Sequence, residues 1–245
     1  MITSVKNDKV KAWRKLHKRK DRTSSGTFLI EGFHLLEEAW KSNWSIIEII
    51  TQNNVELPGW CNDFPLEEVS DNVFQHISQT KSPQGIAAVI AMNETISITG
   101  NYLLLIDSIQ DPGNLGTIIR TADAAGFDGI VLGSDTVDMY NEKVIRATQG
   151  SIFHIPTFQA DLKEEIIDLK NNGYNVWATA LNNAKVYTDL EVSKKVAIIV
   201  GNEGAGVREE LMDLADTLVN IPIYGKAESL NVSVATGILM YYVKS

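Results

Sequence analysis

Short apolar runs alternate with helical patterns of apolar positions from Tyr102 to the end of the chain. Apolar runs of this kind are typical of strands that are buried on both faces of a parallel sheet, and the intervening helices cover those faces. This part of the sequence therefore predicts an α/β domain built around a parallel sheet. We expect its strands within 102–109, 129–133, 154–158, 174–181, 196–201 and 217–223, and its helices from about residue 114, near 141–150, over 161–171, near 207–214 and from about residue 230.

The chain before Tyr102 predicts a smaller unit in which helices and strands do not alternate regularly. Apolar residues at helical spacing predict one amphipathic, basic helix over residues 5–20. Trp13 lies in this helix, and we interpret its side chain as facing the core rather than stacking on a nucleic-acid base. The stretch 28–40 predicts a strand that runs through Gly32 into a helix. Two further strands are expected at 46–50 and 85–90.

A polar segment separates these two patterns. Residues 92–101 (MNETISITGN) are polar around two isoleucines and include a glycine, which is typical of a linker. We therefore predict a first domain over residues 1–95 and a second, α/β domain over residues 101–245.

The charge distribution changes the expected partner. The 245-residue chain is 44% hydrophobic, which is enough for a sizeable core, and its net charge is −9. Residues 1–22 nevertheless carry nine Lys or Arg against two Asp, a local charge of +7 that leaves −16 on the remainder. A basic block of this density binds phosphate groups, so RNA or DNA contact is one interpretation. A solvated helix face is the other.

The remaining composition excludes several classes of protein. Cys61 is the single cysteine, so no internal disulfide forms, and we interpret it as an unreactive thiol. No Cys/His cluster has metal-ligand spacing. No apolar run approaches the roughly 18–20 residues of a membrane span, and the N-terminus lacks the apolar core of a signal peptide. We expect a soluble, cytoplasmic protein.

A glycine loop follows the predicted strand at 196–201. Gly201, Gly204 and Gly206 match GxxGxG, whereas dinucleotide-binding loops carry GxGxxG and phosphate-binding loops carry GxxxxGK[ST]. Glu203 would repel a phosphate group brought close to it. The loop therefore favours a ligand that is cationic or rich in hydroxyl groups. A tight turn with Glu203 facing water is the alternative.

Two other loops carry polar residues after predicted strands. In the first, Pro112-Gly113 makes a turn, Asn114 is the expected helix N-cap, and Arg120 lies among small and apolar residues. Arg120 either contacts a phosphate or sugar hydroxyl, or extends from the helix surface into water. In the second loop, Ser229 is the expected N-cap of the last helix and Asn231 faces the same cleft.

Gly237 lies inside the last predicted helix. Glycine costs about 1 kcal/mol relative to alanine at such a position, so we expect another backbone to approach closely there. A second copy of the chain is the expected partner. Ordinary packing is the alternative.

Three long motifs resemble one known family. NLGTIIRTADAAGFDGIVL (114–132), IIVGNEGAGV (198–207) and IPIYGKAESLNVSVATGILMYY (221–242) occur in this order. They are similar to the three motifs of the SpoU (TrmH) family of RNA 2′-O-ribose methyltransferases, in the SPOUT superfamily. With the intervening chain they cover residues 102–243. GTFLIEGFHLLEEAW (26–40) resembles the small L30e-like substrate-binding domain that precedes the catalytic domain in many members.

The resemblance implies several further properties, and the first of them, a knot, is one that no residue pattern indicates. It implies that the C-terminal segment of the parallel sheet forms a trefoil knot, and that the knot loops bind S-adenosylmethionine. It also implies a homodimer that forms through the C-terminal domain, with each site near the subunit interface. The implied substrate is RNA, and the separate N-terminal domain favours ribosomal RNA over transfer RNA. A sulfonium cofactor with ribose hydroxyls agrees with a glycine loop that lacks lysine.

The resemblance also assigns site residues. Backbone groups near Gly201, Ile221 and Leu230 would hold the adenosine part of the cofactor. Arg120 matches the arginine of the first motif, and a guanidinium holds its proton so strongly that it is a poor proton acceptor near neutrality. Arg120 is therefore expected to orient the target ribose and to stabilise developing negative charge on its oxygen. The other polar motif positions, which would order the cleft and contact the ribose, are Asn114, Glu203, Ser229 and Asn231.

Two competing interpretations remain. A nucleotide-dependent oxidoreductase needs GxGxxG after the first strand of its sheet, but this chain has QDPGNLG there. A non-catalytic RNA-binding protein that retains the fold would bind RNA without transferring a methyl group. The polar motif residues argue against it.

Overall fold

The computed structural model describes residues 1–93 and 97–245, so residues 94–96 of the candidate linker lie outside the described residues. The chain divides into two compact units. The N-terminal unit comprises Met1–Glu94 and Tyr140–Phe153, and the C-terminal unit comprises Thr95–Met139 and His154–Ser245. The helical stretch expected near 141–150 therefore belongs to the N-terminal unit.

The N-terminal unit contains a four-stranded mixed sheet in the order β1-β4-β2-β3. β4 pairs antiparallel with β1 and β2, and β3 pairs parallel with β2. The predicted strands at 28–31, 46–50 and 85–90 are confirmed, whereas β3 and the helix after it were missed. The strands are β1 (Thr27–Glu31), β2 (Ile46–Gln52), β3 (Leu66–Val69) and β4 (Ile86–Ala91), and the helices are α1 (Asp8–Lys15), α2 (Arg19–Ser25), α3 (Phe33–Lys41), α4 (Asp71–Ile77) and α6 (Glu142–Thr148).

The prediction of one basic helix over residues 5–20 is wrong, because α1 ends at Lys15 and α2 begins at Arg19. Lys18 has an extended backbone conformation that interrupts the helix. The prediction for Trp13 is confirmed. Its ring is buried in the core, and its indole N–H donates to Glu48 Oε1 at 2.7 Å.

Aromatic packing explains why the returning segment belongs to the N-terminal unit. The ring of Tyr140 lies 4.6 Å from that of Phe28, and the ring of Phe153 lies 5.2 Å from that of Trp44. The Trp44 indole N–H also donates to the Phe153 carbonyl oxygen at 3.0 Å. Cys61 is buried in this unit, and burial raises the pKa of its thiol, which supports its interpretation as unreactive.

The C-terminal unit confirms the predicted fold class. Its described residues form a seven-stranded sheet in the order β7-β6-β5-β10-β8-β11-β9, and each strand pair is parallel. The strands are β5 (Tyr102–Ile106), β6 (Gly129–Leu132), β7 (Thr157–Gln159), β8 (Asn175–Thr179), β9 (Lys185–Val186), β10 (Val196–Val200) and β11 (Thr217–Asn220). The helices are α5 (Pro112–Ala124), α7 (Leu162–Asn171), α8 (Glu209–Met212) and α9 (Val232–Lys244).

The core of this unit lies around its central strands. All five residues of β10 are buried, as their uniformly apolar character predicts. Residues of α7 and α8 share one apolar cluster with alternate residues of β5 and β10. α5 and α9 pack against each other. The trefoil knot stays a prediction. In the described ranges, each helix is too short or too polar to cross a lipid bilayer.

The structure shows which side chain lies beside Gly237 within its own chain. A Cβ atom at this position would lie 3.4 Å from Thr121 Cγ2 of α5, which is the side chain of a helix in the same chain. That distance is an ordinary van der Waals contact. Alanine would therefore fit at this position within the chain, and the approach of a second copy stays a prediction.

Candidate active site

Three loops leave one edge of the parallel sheet. β5 and β10 are neighbours, with Ile106 paired to Val200, and β11 lies beyond β8. Because the strands are parallel, their carboxyl ends meet at the same edge. The loops that begin at residues 107, 201 and 221 therefore start on one side of the unit.

The glycine loop, residues 201–207, folds back on itself as a tight hairpin. Asn202 N donates to Gly206 O at 2.9 Å, and Gly206 N donates to Asn202 O at 3.0 Å. The Asn202 side-chain oxygen also accepts hydrogen bonds from the backbone N–H groups of Gly204 and Ala205. A Cβ atom on Gly201 would lie only 2.1 Å from the carbonyl carbon of Gly206. Glycine is thus required at 201 because the loop's own backbone fills that space.

The carboxylate of Glu203 is bound within the unit and does not simply face water. It accepts hydrogen bonds from Gln110 N at 3.3 Å, Asp111 N at 3.0 Å and the Asn114 side-chain amide at 3.1 Å. Partial burial alone would raise the pKa of Glu203, but these hydrogen bonds and one from its own backbone N–H outweigh burial and lower it. Glu203 is therefore a fixed anion that ties the glycine loop to the start of α5.

The start of α5 differs from the prediction. Asp111, and not Asn114, is the N-cap, because Asp111 Oδ1 accepts from the backbone N–H of Asn114 at 2.8 Å. Pro112 occupies the first helical position, where its missing N–H costs nothing. The side chain of Asn114 is consequently available for the cleft. It donates to Glu203 and accepts from Asn231.

The start of α9 also differs from the prediction. Asn231, and not Ser229, is the N-cap, and its Oδ1 accepts from Ser233 N at 2.9 Å and Val234 N at 3.4 Å. The Asn231 amide donates to Asn114 Oδ1 at 2.9 Å. Ser229 lies outside the helix and is exposed. The structure therefore joins Glu203, Asn114 and Asn231 into one hydrogen-bonded network that links all three loops.

Arg120 lies apart from this network. It is exposed on α5 and has no hydrogen bond or ion pair with any residue in 1–93 or 97–245. Six residues separate it from Asn114, which is about one and two-thirds helical turns, so the two side chains leave α5 in different directions. The guanidinium is thus available to a group outside the described chain.

The third loop keeps its backbone groups available. Within the described part of the chain, residues 222–230 form no backbone–backbone hydrogen bond. Asn220, the last residue of β11, has a buried Oδ1 atom without a hydrogen-bond partner. Ile221 is partly buried, whereas Leu230 is exposed. The exposed backbone groups of this loop and the buried Asn220 Oδ1 are therefore available to a bound molecule.

Sequence reasoning missed two residues beside the glycine loop. Asp107 is fully buried directly after β5, and Arg208 follows the loop and forms an ion pair with Asp107 at 2.8 Å. One signal could have indicated Asp107. It is a charged residue that interrupts an apolar run at the carboxyl end of a buried strand, and buried charges require partners.

Comparisons with known protein families agree with the motifs. Residues 101–241 match the model of the SpoU rRNA Methylase family, and residues 7–88 match the MRM3-like substrate binding domain. The chain is 47% identical over 244 residues to the 23S rRNA (guanosine(2553)-2′-O)-methyltransferase RlmP of Bacillus subtilis strain 168. That alignment covers 99% of this chain and 98% of the relative.

Solved structures give the same result. The AdoMet-bound rRNA methyltransferase of Sinorhizobium meliloti superposes with a TM-score of 0.91 at 34% identity, covering 99% of this chain and 96% of that one. The SpoU methyltransferase AviRb of Streptomyces viridochromogenes, in complex with AdoMet, shares the fold with a TM-score of 0.86 at 24% identity, covering 98% and 97%. The three motifs, the parallel sheet that presents them and the match over residues 101–241 together place this chain in the SpoU methylase family.

Proposed function

We propose that this protein transfers the methyl group of S-adenosylmethionine to a ribose 2′-hydroxyl in ribosomal RNA. The observation that carries the proposal is the hydrogen-bonded network of Glu203, Asn114 and Asn231, which assembles the three family motifs at one sheet edge. The relatives named for methylation of rRNA support rRNA as the substrate class. An rRNA substrate also implies a cytoplasmic location.

The loops suit the proposed cofactor. Adenine and ribose need neutral donors and acceptors, and the backbone of residues 222–230, with the unpaired Asn220 Oδ1, supplies groups of this kind. The glycine loop carries no lysine, and this absence suits a sulfonium cation because a lysine would repel it. We assign the adenosine contacts to the backbone at Gly201, Ile221 and Leu230.

The chemistry requires positioning more than acid–base catalysis. When bound, S-adenosylmethionine supplies an electrophilic methyl group on sulfur. As the 2′-oxygen bonds to the methyl carbon, the carbon–sulfur bond would break with its electron pair on sulfur, leaving a neutral thioether, and the hydroxyl proton would pass to solvent water. The Arg120 guanidinium orients the target nucleotide through its phosphate and stabilises negative charge on the 2′-oxygen. Ser229 is exposed beside Asn231 and is assigned to substrate contact.

We further propose a homodimer that forms through the C-terminal unit. Three apolar side chains on or next to α9 are exposed, namely Leu230, Val234 and Tyr241. Val234 and Tyr241 are seven residues apart and so share one helix face. Arg120 lies on the neighbouring helix α5 and points away from Asn114 in its own chain. A two-fold dimer would cover the apolar stripe and would bring Arg120 to the cofactor loops of the second copy.

We propose that a docking domain at 1–95, the main part of the N-terminal unit, binds the RNA and that the catalytic domain lies within 101–245. The structure separates its cations into two groups. Lys9 forms ion pairs with Glu48 and Glu67, and Lys11 pairs with Asp8. A second group is exposed and has no ion pair within the described residues, namely Lys15, Lys18 and Lys20.

Replacing the second group should weaken RNA binding in a salt-dependent way. The triple substitution Lys15→Gln, Lys18→Gln and Lys20→Gln is expected to reduce the slope of log K against log salt concentration by about one for each phosphate contact that is lost. The matched control, Lys9→Gln with Lys11→Gln, should change the slope less because carboxylates already neutralise these lysines. Filter binding across a salt series gives both slopes. Equal slopes for wild type and the triple variant would reject this docking surface.

The direct test supplies methyl-labelled S-adenosylmethionine together with ribosomal or transfer RNA transcripts, or with ribosomal particles from cells that lack the protein. We expect label in ribosomal RNA at one site that resists alkaline cleavage, because a methylated 2′-oxygen cannot attack the neighbouring phosphate. RNA binding without label on transcripts or particles would indicate a non-catalytic RNA-binding protein instead. Label in transfer RNA alone would contradict the proposed substrate class.

A further inference from the structure

Both ends of the glycine loop meet at one buried residue, Asp107. Its backbone N–H donates to the carbonyl oxygen of Val200, the residue before the loop, at 2.8 Å. Its carboxylate Oδ2 accepts from the backbone N–H of Arg208, the residue after the loop, at 2.9 Å. Asp107 is completely buried. One residue at the end of β5 thus closes a seven-residue loop that belongs to a different strand.

The Asp107 carboxylate is held by two further donors. Arg208 Nε donates to Oδ1 at 2.8 Å, and Ser108 Oγ donates to the same oxygen at 2.9 Å. A buried carboxylate without donors would be strongly unfavourable, so this set explains how Asp107 is accommodated. The Arg208 side chain is exposed, and its Nη1 atom lies 3.8 Å from Asp135 Oδ2 and 3.6 Å from Glu210 Oε1. Exposed pairs at such distances contribute little.

The next residue strengthens the same connection. Ser108 has a left-handed backbone conformation, with φ +63°, and its carbonyl oxygen accepts from the side-chain amide of Asn202 at 2.9 Å. Asn202 is the residue whose side chain and backbone close the hairpin of the glycine loop. The segment after β5 therefore fixes both the ends of the loop and its internal turn.

We propose that Asp107 and Arg208 are positioning residues that hold the glycine loop in the conformation that binds S-adenosylmethionine. This inference rests on the proposed function, which assigns the loop to the cofactor. A loop with three glycines in seven residues loses much conformational entropy when it is ordered. When a ligand binds only the ordered conformation, its apparent affinity is its intrinsic affinity multiplied by the fraction of chains in which the loop is ordered. The pair therefore acts on cofactor affinity, and not on the methyl-transfer step.

Arg208 offers a matched pair of substitutions. In Arg208→Gln the side-chain amide nitrogen occupies the position of Nε, so a hydrogen bond to Asp107 is retained without the positive charge. In Arg208→Met the chain has similar length but no donor. Both variants keep the backbone N–H bond to Asp107, and both lose the contacts to Asp135 and Glu210. The comparison of Gln with Met therefore isolates the donor at the Nε position.

We expect Arg208→Met to raise the dissociation constant for S-adenosylmethionine about tenfold, as for the loss of one charge-assisted hydrogen bond, and Arg208→Gln to raise it less than about threefold. In the ligand-free protein, hydrogen exchange of the amides at 202–207 should be about tenfold faster in the Met variant. The turnover number at saturating cofactor and the KM for RNA should stay within about twofold, because Arg208 contacts neither reacting group. Titration calorimetry, exchange measurements and steady-state kinetics give these values.

Equal affinities for the Met and Gln variants would overturn the proposal, and so would a turnover number that falls while cofactor affinity is unchanged. A lower melting temperature of Arg208→Met without faster amide exchange at 202–207 would assign Arg208 a general structural role. That result would also overturn the proposal. If the wild-type protein itself fails to bind S-adenosylmethionine, the proposed function is wrong. Exchange of the loop amides in ligand-free protein then still decides whether Asp107 and Arg208 hold the loop.

Discussion

Arg120→Ala is expected to lower the methyl-transfer turnover number about 100-fold to 1,000-fold, the range observed when an enzyme loses one donor to a developing oxyanion. Cofactor affinity should change less than about twofold, because Arg120 is exposed on α5 and lies apart from the network that joins the cofactor loops. Single-turnover transfer of labelled methyl groups measures the first quantity, and titration calorimetry measures the second.

Two variants sharpen this result. Arg120→Lys keeps a charge but loses the planar fork of donors, so we expect an intermediate rate. Lys163→Ala removes an exposed cation of the same unit that pairs with Glu210, and it should leave the rate unchanged. A large loss of cofactor binding in Arg120→Ala, with unchanged turnover of the bound enzyme, would contradict the assigned role.

Gly201→Ala is expected to weaken S-adenosylmethionine binding about 100-fold. The added Cβ would lie 2.1 Å from the carbonyl carbon and 2.2 Å from the carbonyl oxygen of Gly206, both of which are backbone atoms that cannot rotate away. The hairpin must therefore open. Overpacking of this kind costs about 1–3 kcal/mol, and 100-fold in affinity corresponds to about 2.7 kcal/mol. Titration calorimetry with S-adenosylmethionine measures the loss.

Gly204→Ala is the matched control in the same loop. The nearest atom to a Cβ there is the Asn202 side-chain oxygen at 3.7 Å, which is an ordinary contact. This variant should bind the cofactor within about threefold of wild type. Equal losses for the two alanine variants would show that the close approach at Gly201 does not control the loop.

The Arg120→Ala and Gly201→Ala variants together test the proposed dimer, at a cofactor concentration too low to saturate Gly201→Ala. If Arg120 acts on the target ribose beside the loops of the second copy, a mixed dimer of Arg120→Ala and Gly201→Ala chains contains one site with both residues intact. Random mixing then restores about a quarter of the wild-type activity, since half of the dimers are mixed and each has one working site. The assay is methyl transfer after co-expression of the two chains. No recovery in verified mixed dimers would place Arg120 in the site of its own chain.

The sequence determined the architecture of the C-terminal unit because its signals are local. Short apolar runs such as 196–200 are typical of strands covered on both faces, and six of the seven strands of the sheet were located from apolar runs. The exception is β9, which has two residues and no pattern. The three motifs also identified Asn114, Glu203 and Asn231, which the structure then brought together.

Helix starts were predicted less well, because several nearby polar residues compete for one cap. Asn114 and Ser229 are both good capping residues by type, but Asp111 and Asn231 take those positions. At α5, the proline at the first helical position moves the cap to the residue before it. The residue that caps each helix therefore determines which side-chain amide remains free to join the hydrogen-bonded network with Glu203.

The sequence by itself determined the fold class of the C-terminal unit, its family and the identity of the motif residues, since periodicity and motif order are properties of neighbouring positions. Only the tertiary structure showed that Glu203 is bound by Asn114 and two backbone N–H groups. It alone showed that Asp107 closes the glycine loop through Arg208, about a hundred residues away in the chain, and that 140–153 belongs to the N-terminal unit. These facts depend on which side chains meet after the strands have paired, and contacts between distant segments leave no periodic signal in a single sequence.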